Sequence, residues 1–130
     1  GLMSYGNDFT KENNPIECNL EKYCSDKSDH DFIGKNALDN IKKQGVKQKL
    51  KGVLFDGVDC PPCSIPFPLY SKDKKLIGKI TSGIYSPKFK KNIGLSMILN
   101  EFCKTGSEVL VHTPDNKLRK GIVSSLPFSK

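Results

Sequence analysis

The sequence predicts a mainly β protein, α+β overall. It consists of a small antiparallel six-stranded barrel or jelly-roll-like domain, preceded by a loop-rich N-terminal segment and one helix. Three observations predict this. Six short apolar runs after position 46 are separated by turn-forming residues, which is typical of small barrels. One stretch before them has helical periodicity. The first 33 residues hold many turn formers. We expect two regions, 1–45 and 46–130.

The opening segment, 1–33, is predicted to form turns and loops. Gly6-Asn7-Asp8 and Asn13-Asn14-Pro15 are turn formers. Apolar and polar residues alternate over 16–20, so a short strand is possible there. We interpret this segment as the end of an upstream region, because it is not a convincing domain by itself.

The helix is predicted over 34–45. Ala37, Leu38 and Ile41 fall on one face at helical spacing. Gly45 follows as a C-terminal stop signal. Because one face is apolar, we expect the helix to pack against a sheet.

The six strands are predicted from alternating apolar residues between turn signals. Prolines exclude a central strand between 60 and 68, so the second strand is expected at a sheet edge. The third strand is expected to end near Gly83, where glycine gives the backbone freedom. The predicted strands are 50–55, 68–70, 76–82, 92–99, 108–112 and 118–124.

The hairpin between the third and fourth strands carries a basic loop. Ser86-Pro87 stiffens it, because proline fixes its own φ and restricts the residue before it. Lys88, Lys90 and Lys91 surround Phe89. Such a loop suits an anionic ligand, and a solvated surface loop is the alternative.

Charge is distributed unevenly along the chain. The net charge is +7, yet residues 1–33 hold seven acidic residues and three lysines. The positive field of the remaining chain favours an anionic partner: a nucleic acid, a membrane surface or a polyanionic small molecule. No apolar run approaches the roughly 20 residues of a membrane helix, and no secretory signal is visible.

Five cysteines and no signal peptide predict a reducing compartment and free thiols. Cys60 and Cys63 have C-x-x-C spacing, but a structural zinc site needs four ligands. His30 and His112 lie at no recognisable spacing from them. Because the prolines around the pair are not typical of a helix start, a thioredoxin-like motif is not indicated either. We therefore expect no metal site.

Three blocks of the chain form a specific pattern. The first is Gly1-Leu2-Met3-Ser4-Tyr5-Gly6-Asn7-Asp8, followed by Pro15-Ile16-Glu17-Cys18. The second is Phe32-Ile33-Gly34-Lys35-Asn36-Ala37-Leu38. The third is G-K-I-T-S-G-x-x-S-P-x-x-K-x-N-I-G over 78–94, with Leu126-Pro127-Phe128 at the end. In order and spacing these blocks resemble the glycine-cleavage T-protein (aminomethyltransferase) family, and the chain is identified as the C-terminal part of a family member.

The family has two branches to which this chain is similar. Residues 4–10, residues 17–24 and Phe89 resemble the dimethylsulfoniopropionate demethylase branch, which moves a methyl group to tetrahydrofolate. The alternative is a glycine-cleavage aminomethyltransferase, which usually carries E-A-G-L where this chain has Glu17-Cys18-Asn19-Leu20.

The resemblance implies an enzyme whose cofactor is tetrahydrofolate. The family's catalytic acids lie upstream of the position equivalent to Gly1, so this chain alone is expected not to turn over. The implied partners are folate, a small one-carbon donor and the upstream part of the enzyme, with a lipoyl carrier protein only in the glycine-cleavage branch. Neither a membrane nor a nucleic acid is an expected partner. The implied compartment is the cytoplasm, or the mitochondrial matrix for a eukaryotic T-protein.

Four residues are the cofactor-binding candidates. Tyr5 matches the tyrosine near the family's folate pocket, with a core-facing aromatic as the alternative. Ser86 and Lys88 lie where the hairpin loop approaches the cofactor or donor, and Lys91 is close to them. Arg119 lies where the family carries a basic residue toward the folate tail, and its guanidinium suits a carboxylate. A surface arginine is the alternative.

Two other classes remain open. A nucleic-acid-binding barrel requires exposed aromatics among basic residues, yet Phe89 is the only aromatic inside a basic cluster and Trp is absent. A structural domain that caps a catalytic partner is also compatible with the chain.

Overall fold

Six antiparallel strands close into a barrel in the computed structural model, which describes residues 2–24 and 31–129. The strands are β1 (Gln48–Phe55), β2 (Phe67–Ser71), β3 (Leu76–Ser86), β4 (Lys91–Leu99), β5 (Glu108–Thr113) and β6 (Lys117–Ser124). Around the barrel they follow the order β1-β4-β3-β2-β5-β6. Among the described residues, one α-helix and a short 3-10 helix, Glu21–Tyr23, precede the strands, so the predicted fold class is confirmed.

The third strand is longer than predicted. We expected it to end near Gly83, but β3 continues to Ser86, where it still pairs with Lys91 of β4. The β3–β4 register shifts between Ile80 and Ser82, which marks a β-bulge. The hairpin turn therefore spans only 87–90, and Lys90 adopts a left-handed φ of 53° there.

The second strand is not at an edge, so that prediction was wrong. β2 lies between β3 and β5 in the closed barrel. Its ladder with β5 begins at Leu69, one residue after Pro68. Because Pro68 lies outside that ladder, its missing N–H removes no hydrogen bond to β5.

The barrel interior is filled by apolar side chains from all six strands. Each is at most 2% exposed, and burying such a side chain contributes about 1.5–3 kcal/mol. These residues are Val53, Phe55, Phe67, Leu69, Ile77, Ile80, Ile98, Val109, Val111 and Val123.

A second apolar cluster lies where both ends of the described chain meet β1 and β4. Cys18, Leu50, Leu95 and Met97 are its buried members, and Phe128 packs against them. The backbone N–H of Leu50 donates to the carbonyl of Glu17 at 2.7 Å. The Phe128 ring fills the space beside Gly52, where a Cβ would lie 2.5 Å from its Cε1.

The possible strand over 16–20 is absent, since that part of the chain forms turns. Asn19 has a φ of 58°, in the left-handed region that interrupts an extended strand. Its side-chain amide instead donates to the carbonyl of Leu50. The opening segment is thus held on the barrel by turns and side chains.

The predicted helix is α1, Lys35–Gln44, flanked by Gly34 and Gly45 with positive φ. None of its residues is buried, and Leu38 and Ile41 are half-buried. It therefore does not bury its apolar face against the sheet as predicted. Within the described residues, no helix is long and apolar enough to span a membrane.

Candidate functional site

A buried carboxylate joins the opening turn to the middle of β3. Asp8 is 4% exposed, although its neighbours in the turn are mostly exposed. Its Oδ1 accepts hydrogen bonds from the hydroxyls of Thr81 and Ser82, both at 2.6 Å. Its Oδ2 accepts from the backbone N–H of Ser4 at 2.8 Å. Hydrogen bonds to an ionised carboxylate are stronger than those between neutral groups.

The bulge in β3 explains how two consecutive hydroxyls reach one carboxylate. In a regular strand, successive side chains point to opposite faces. The register shift between Ile80 and Ser82 breaks that alternation. Asn7 adds to the junction, because its amide donates to the Thr81 carbonyl at 2.9 Å and to the Ser82 hydroxyl at 3.0 Å. We refer to Asn7, Asp8, Thr81 and Ser82 as the Asp8 cluster.

Tyr5 lies on the turn that the Asp8 cluster anchors. It is 67% exposed, so the alternative of a core-facing aromatic is wrong. Its ring makes an edge-to-face contact with Phe9, with centroids 5.6 Å apart. The N–H of Gly6 donates to the carbonyl of Phe9 at 2.8 Å. The tyrosine is thus held on an ordered turn with most of its surface open to a ligand.

The β3–β4 hairpin presents the next two candidates. Ser86 is half-buried at the end of β3, and Lys88 is exposed in the turn. The Nζ of Lys88 lies 5.7 Å from the ring centroid of Phe89, a cation–π distance. The Phe89 ring lies 6.2 Å from that of Phe128. Lys91 is engaged elsewhere, since its Nζ lies 2.6 Å from Oδ1 of Asp56.

Arg119 lies in the barrel wall on β6, not on the surface. It is 7% exposed, so the alternative of a surface arginine is wrong. Its Nε donates to the Thr113 hydroxyl at 3.0 Å and its Nη2 to Asp115 Oδ2 at 3.3 Å. Its Nη1 donates to the carbonyl of Val58. We refer to Arg119, Thr113, Asp115 and Val58 as the Arg119 cluster.

The hydrogen bonds of the Arg119 cluster change the pKa of Asp115. The pKa of its carboxyl is lowered, first because the Thr113 hydroxyl donates a hydrogen bond to it and then because Arg119 donates another. The ionised form of Asp115 is therefore favoured in the folded chain.

Asn92 of β4 anchors the loop that follows β1, which Arg119 of β6 also contacts. It is fully buried, and its Oδ1 accepts a hydrogen bond from the Cys60 N–H at 2.8 Å. Its amide donates to the carbonyls of Val58 at 3.0 Å and Gly57 at 3.3 Å. Asn92 and Arg119 thus share the Val58 carbonyl. Asn92 also pairs with Tyr85, next to Ser86, so the loop connects the Arg119 cluster to the hairpin.

The predicted candidates therefore lie in three places. Tyr5 lies by the Asp8 cluster at the middle of β3, while Ser86 and Lys88 lie at the end of that strand. Arg119 lies across the 56–60 loop from the hairpin. Sequence reasoning singled out neither Asp8 nor Asn92, because both follow turn or strand signals that give no sign of burial. Whether the four candidates bind a cofactor stays a prediction.

Within residues 2–24 and 31–129, no group of three or more histidine, cysteine or acidic side chains is placed to hold a metal ion. His30 lies outside the described residues. Cys60 and Cys63 are half-buried, free thiols in the proline-rich loop.

Together these features define a small antiparallel barrel domain that holds a preceding turn-rich segment through a buried carboxylate. The family model for the glycine cleavage T-protein C-terminal barrel domain matches residues 53–130. The chain belongs to this family.

Curated relatives extend the similarity over the N-terminal segment. The chain is 39% identical over 115 residues to dimethylsulfoniopropionate demethylase DmdA of Ruegeria pomeroyi, which covers 88% of the chain and 30% of that protein. It is 37% identical over 129 residues to an aminomethyltransferase of Bacillus velezensis, covering 99% of the chain and 34% of that protein. The chain thus spans about a third of the length of these relatives.

A solved structure shares the fold. The crystal structure of glycine cleavage system aminomethyltransferase T from Bartonella henselae superposes with a TM-score of 0.83 and 24% identity. The superposition covers 98% of the chain and 35% of that structure. The likeness therefore includes the turn-rich segment as well as the barrel.

Proposed function

We propose that the chain is the C-terminal barrel part of a tetrahydrofolate-dependent one-carbon transferase of the dimethylsulfoniopropionate demethylase branch. The observation that carries the proposal is the Asp8 cluster. Its hydrogen bonds join the L-x-x-Y-G-N-D block to the G-K-I-T-S-G block. The bonded residues are separated by 73 and 74 positions in the sequence. The two most family-like parts of the sequence therefore form one structural unit beside Tyr5. The 39% identity to the Ruegeria demethylase supports this branch.

The chemistry of one-carbon transfer to tetrahydrofolate indicates what this unit contributes. When bound, tetrahydrofolate supplies N5 as the carbon acceptor. The protein orients the folate ring system and the donor. In our proposal the exposed ring of Tyr5 packs on the folate, Ser86 offers a hydroxyl, and the Lys88 ammonium pairs with a carboxylate of the folate tail.

The proposal for Arg119 is narrower. Each nitrogen of its guanidinium donates one hydrogen bond within the chain, and Asp115 is its carboxylate partner. Because the arginine side chain is 7% exposed and that of Asp115 is 38% exposed, we propose that a folate carboxylate reaches the guanidinium by exchanging with Asp115. We propose this exchange as the way in which Arg119 takes part in binding.

We further propose that residues 1–45 belong to an upstream folate-binding region and that residues 46–130 form the barrel domain. The upstream part of the enzyme then supplies the catalytic acids, so this chain alone is inactive. The partners are folate and a small one-carbon donor, and the proposed compartment is the cytoplasm.

A glycine-cleavage aminomethyltransferase is the second candidate. The Bacillus match favours it, because that alignment spans 129 residues against 115 for the demethylase. In that case a lipoyl carrier protein is the donor's carrier, and an aminomethyl group moves instead of a methyl group.

A pair of chimaeras tests the branch. In one, this chain replaces the corresponding third of the Ruegeria demethylase, and in the other the corresponding third of the Bacillus aminomethyltransferase. We expect the first chimaera to retain methyl transfer from dimethylsulfoniopropionate to tetrahydrofolate and the second to be at least tenfold weaker in its own reaction. The reverse pattern would favour the second candidate. Loss of both activities in folded chimaeras would remove the enzyme proposal.

The cofactor contacts are tested in the active chimaera. Tyr5→Ala and Lys88→Ala are expected to raise KM for tetrahydrofolate about tenfold, which is the loss of roughly 1.4 kcal/mol of binding. Tyr23→Ala and Lys90→Ala are the matched controls, since Tyr23 is 74% exposed and Lys90 is exposed in the same turn as Lys88. Equal KM values in variants and controls would remove Tyr5 and Lys88 as contacts.

The nucleic-acid alternative is tested by titration calorimetry of this chain with tetrahydrofolate and with a short single-stranded oligonucleotide. We expect weak or absent folate binding and no oligonucleotide binding. Salt-sensitive oligonucleotide binding without folate binding would overturn the proposal, since phosphate contacts weaken as salt rises.

A further inference from the structure

Two thiols of the loop between β1 and β2 lie beside Gly83 of β3. Cys60 and Cys63 both pack against the apolar barrel interior and are half-buried. The Sγ of Cys63 lies 3.5 Å, and that of Cys60 3.7 Å, from the position that a Cβ on Gly83 would take. Because Gly83 has no side chain, nothing of that residue separates the two sulfurs from this point. Neither thiol has a part in the proposed function.

The loop holds this pair in a fixed arrangement. The N–H of Cys60 donates to the buried Oδ1 of Asn92 at 2.8 Å. The N–H of Ser64 donates to the carbonyl of Pro62 at 2.9 Å, which forms a tight turn centred on Cys63. Pro61 and Pro62 restrict the backbone between the cysteines. Bringing the two sulfurs together therefore costs little additional conformational entropy.

We propose that Cys60 and Cys63 are a redox modification site that closes into a reversible intramolecular disulfide. The oxidant is a low-molecular-weight disulfide. The Cys60 thiolate attacks one of its sulfurs, and one small thiolate leaves. The Cys63 thiolate then attacks the Cys60 sulfur of the mixed disulfide, and the second small thiolate leaves. The two protein thiols are oxidised, the small disulfide is reduced to two thiols, and the two protein protons end on those thiols.

The charges around the pair set the order of these steps. Burial raises the pKa of both thiols. For Cys60 the positive charge of Arg119 opposes this rise, and Asp59 adds to it. For Cys63 the pKa reaches about 11, because Cys60 and Asp8 raise it further. Cys60 is therefore the first nucleophile, and Cys63 resolves the mixed disulfide.

The same charges predict how the reaction depends on pH. Both thiols are protonated near neutral pH, so the rate of closure follows the thiolate fraction. We expect that rate to keep rising between pH 7 and pH 9. The rate for an unperturbed thiol would level off in this range, near a pKa of about 8.5.

The test equilibrates the whole chain with graded ratios of oxidised to reduced glutathione, followed by alkylation, intact mass measurement and peptide mapping. We expect two of the five thiols to become inaccessible together, with the bond mapped to Cys60 and Cys63. Cys60→Ser and Cys63→Ser are each expected to abolish closure. The matched controls, Cys24→Ser and Cys103→Ser, are expected to retain it.

Three outcomes would overturn the proposal. One is five free thiols at every glutathione ratio. Another is a stable glutathione adduct on Cys60 or Cys63 without closure. The third is a disulfide that involves Cys18 or Cys103 instead. Mapping of the unmutated chain decides among these outcomes, so the proposal stays testable even where a serine variant fails to fold.

Discussion

The Asp8 cluster and the Arg119 cluster each bury a formal charge, but they do so across very different distances along the chain. Asp8 accepts from hydroxyls 73 and 74 residues away and from one nearby backbone N–H. Arg119 bonds two residues within six positions of itself, and one of them is a carboxylate. Asp8 is thus held by neutral groups of a distant strand, whereas Arg119 is held mainly within its own hairpin.

This difference indicates what each cluster stabilises. The hydrogen bonds of Asp8 attach the opening turn, with Tyr5, to the barrel. Beyond its hairpin, among the described residues, Arg119 donates to the carbonyl of Val58, which Asn92 also holds. Losing Asp8 should therefore weaken the attachment of the opening turn, which keeps the hydrogen bonds of Asn7 to Thr81 and Ser82. Losing Arg119 should loosen one loop that Asn92 still holds.

The largest effect is expected for Asp8→Ala. It removes the acceptor for two hydroxyls and a backbone N–H, so we expect the free energy of unfolding to fall by about 3 kcal/mol. Urea denaturation measures this change. Asp73→Ala, in the exposed β2–β3 turn, is the matched control and should change stability by less than about 0.5 kcal/mol. Equal stability of the two variants would show that the Asp8 cluster does not anchor the turn.

A smaller effect is expected for Arg119→Lys. Lysine retains the charge but cannot place donors at Thr113, Asp115 and Val58 simultaneously. We expect a loss of about 2 kcal/mol in the same measurement, since buried donors and acceptors lose partners. The control is Lys120→Arg at the exposed neighbouring position, which should stay within about 0.5 kcal/mol. A loss larger than that of Asp8→Ala would reverse the comparison between the clusters.

Lys91→Met tests an exposed contact near the same loop. The ion pair between Lys91 and Asp56 is short, but both side chains are largely open to solvent, at 45% and 58% exposure. We expect a loss of no more than about 0.5 kcal/mol, and a smaller one in high salt. A loss near that of Arg119→Lys would mean that this pair, and not the buried arginine, fixes the loop.

The smallest effect is the pH dependence from Asp115. Because its pKa is lower in the folded chain than in the unfolded chain, its ionised form stabilises the fold above about pH 4. That contribution is lost as pH falls through the folded pKa. The stability difference between the wild type and Asp115→Asn should therefore be constant from pH 5 to 7 and narrow below about pH 4.

The control for this pH dependence is the same comparison in a Thr113→Val background. That change removes the hydroxyl that lowers the pKa most, so the narrowing below pH 4 should shrink. Urea denaturation at each pH measures both differences. An unchanged profile in the Thr113→Val background would show that another group causes the pH dependence.

Local signals were sufficient to predict the strands and the helix. Turn-forming residues and apolar–polar alternation belong to the same short segments whose structure they determine. Most predicted strand and helix ends therefore lie within two residues of the observed ends. The Asp8 cluster was not predictable in this way. Gly6-Asn7-Asp8 has the composition of an exposed turn, and its burial depends on a bulge in β3 more than 70 residues away.

The burial of Arg119 left a signal that sequence reasoning did not use. Positions 119, 121 and 123 of β6 are all buried, and they share one face of the strand with the core residue Val123. Because side chains alternate between the two faces of a strand, the pattern that directs Val123 to the interior also directs Arg119 there. A basic residue at an inward-facing position indicates a buried, paired guanidinium.

The contact between Gly52 and Phe128 has a consequence for how this family changes over evolutionary time. A methyl group at position 52 would overlap the phenyl ring unless the end of the chain moved away. Position 52 is therefore not free to gain a side chain while Phe128 stays in place. Among relatives we expect the two sites to covary, with a larger residue at 52 appearing where the aromatic at 128 has been replaced by a smaller side chain.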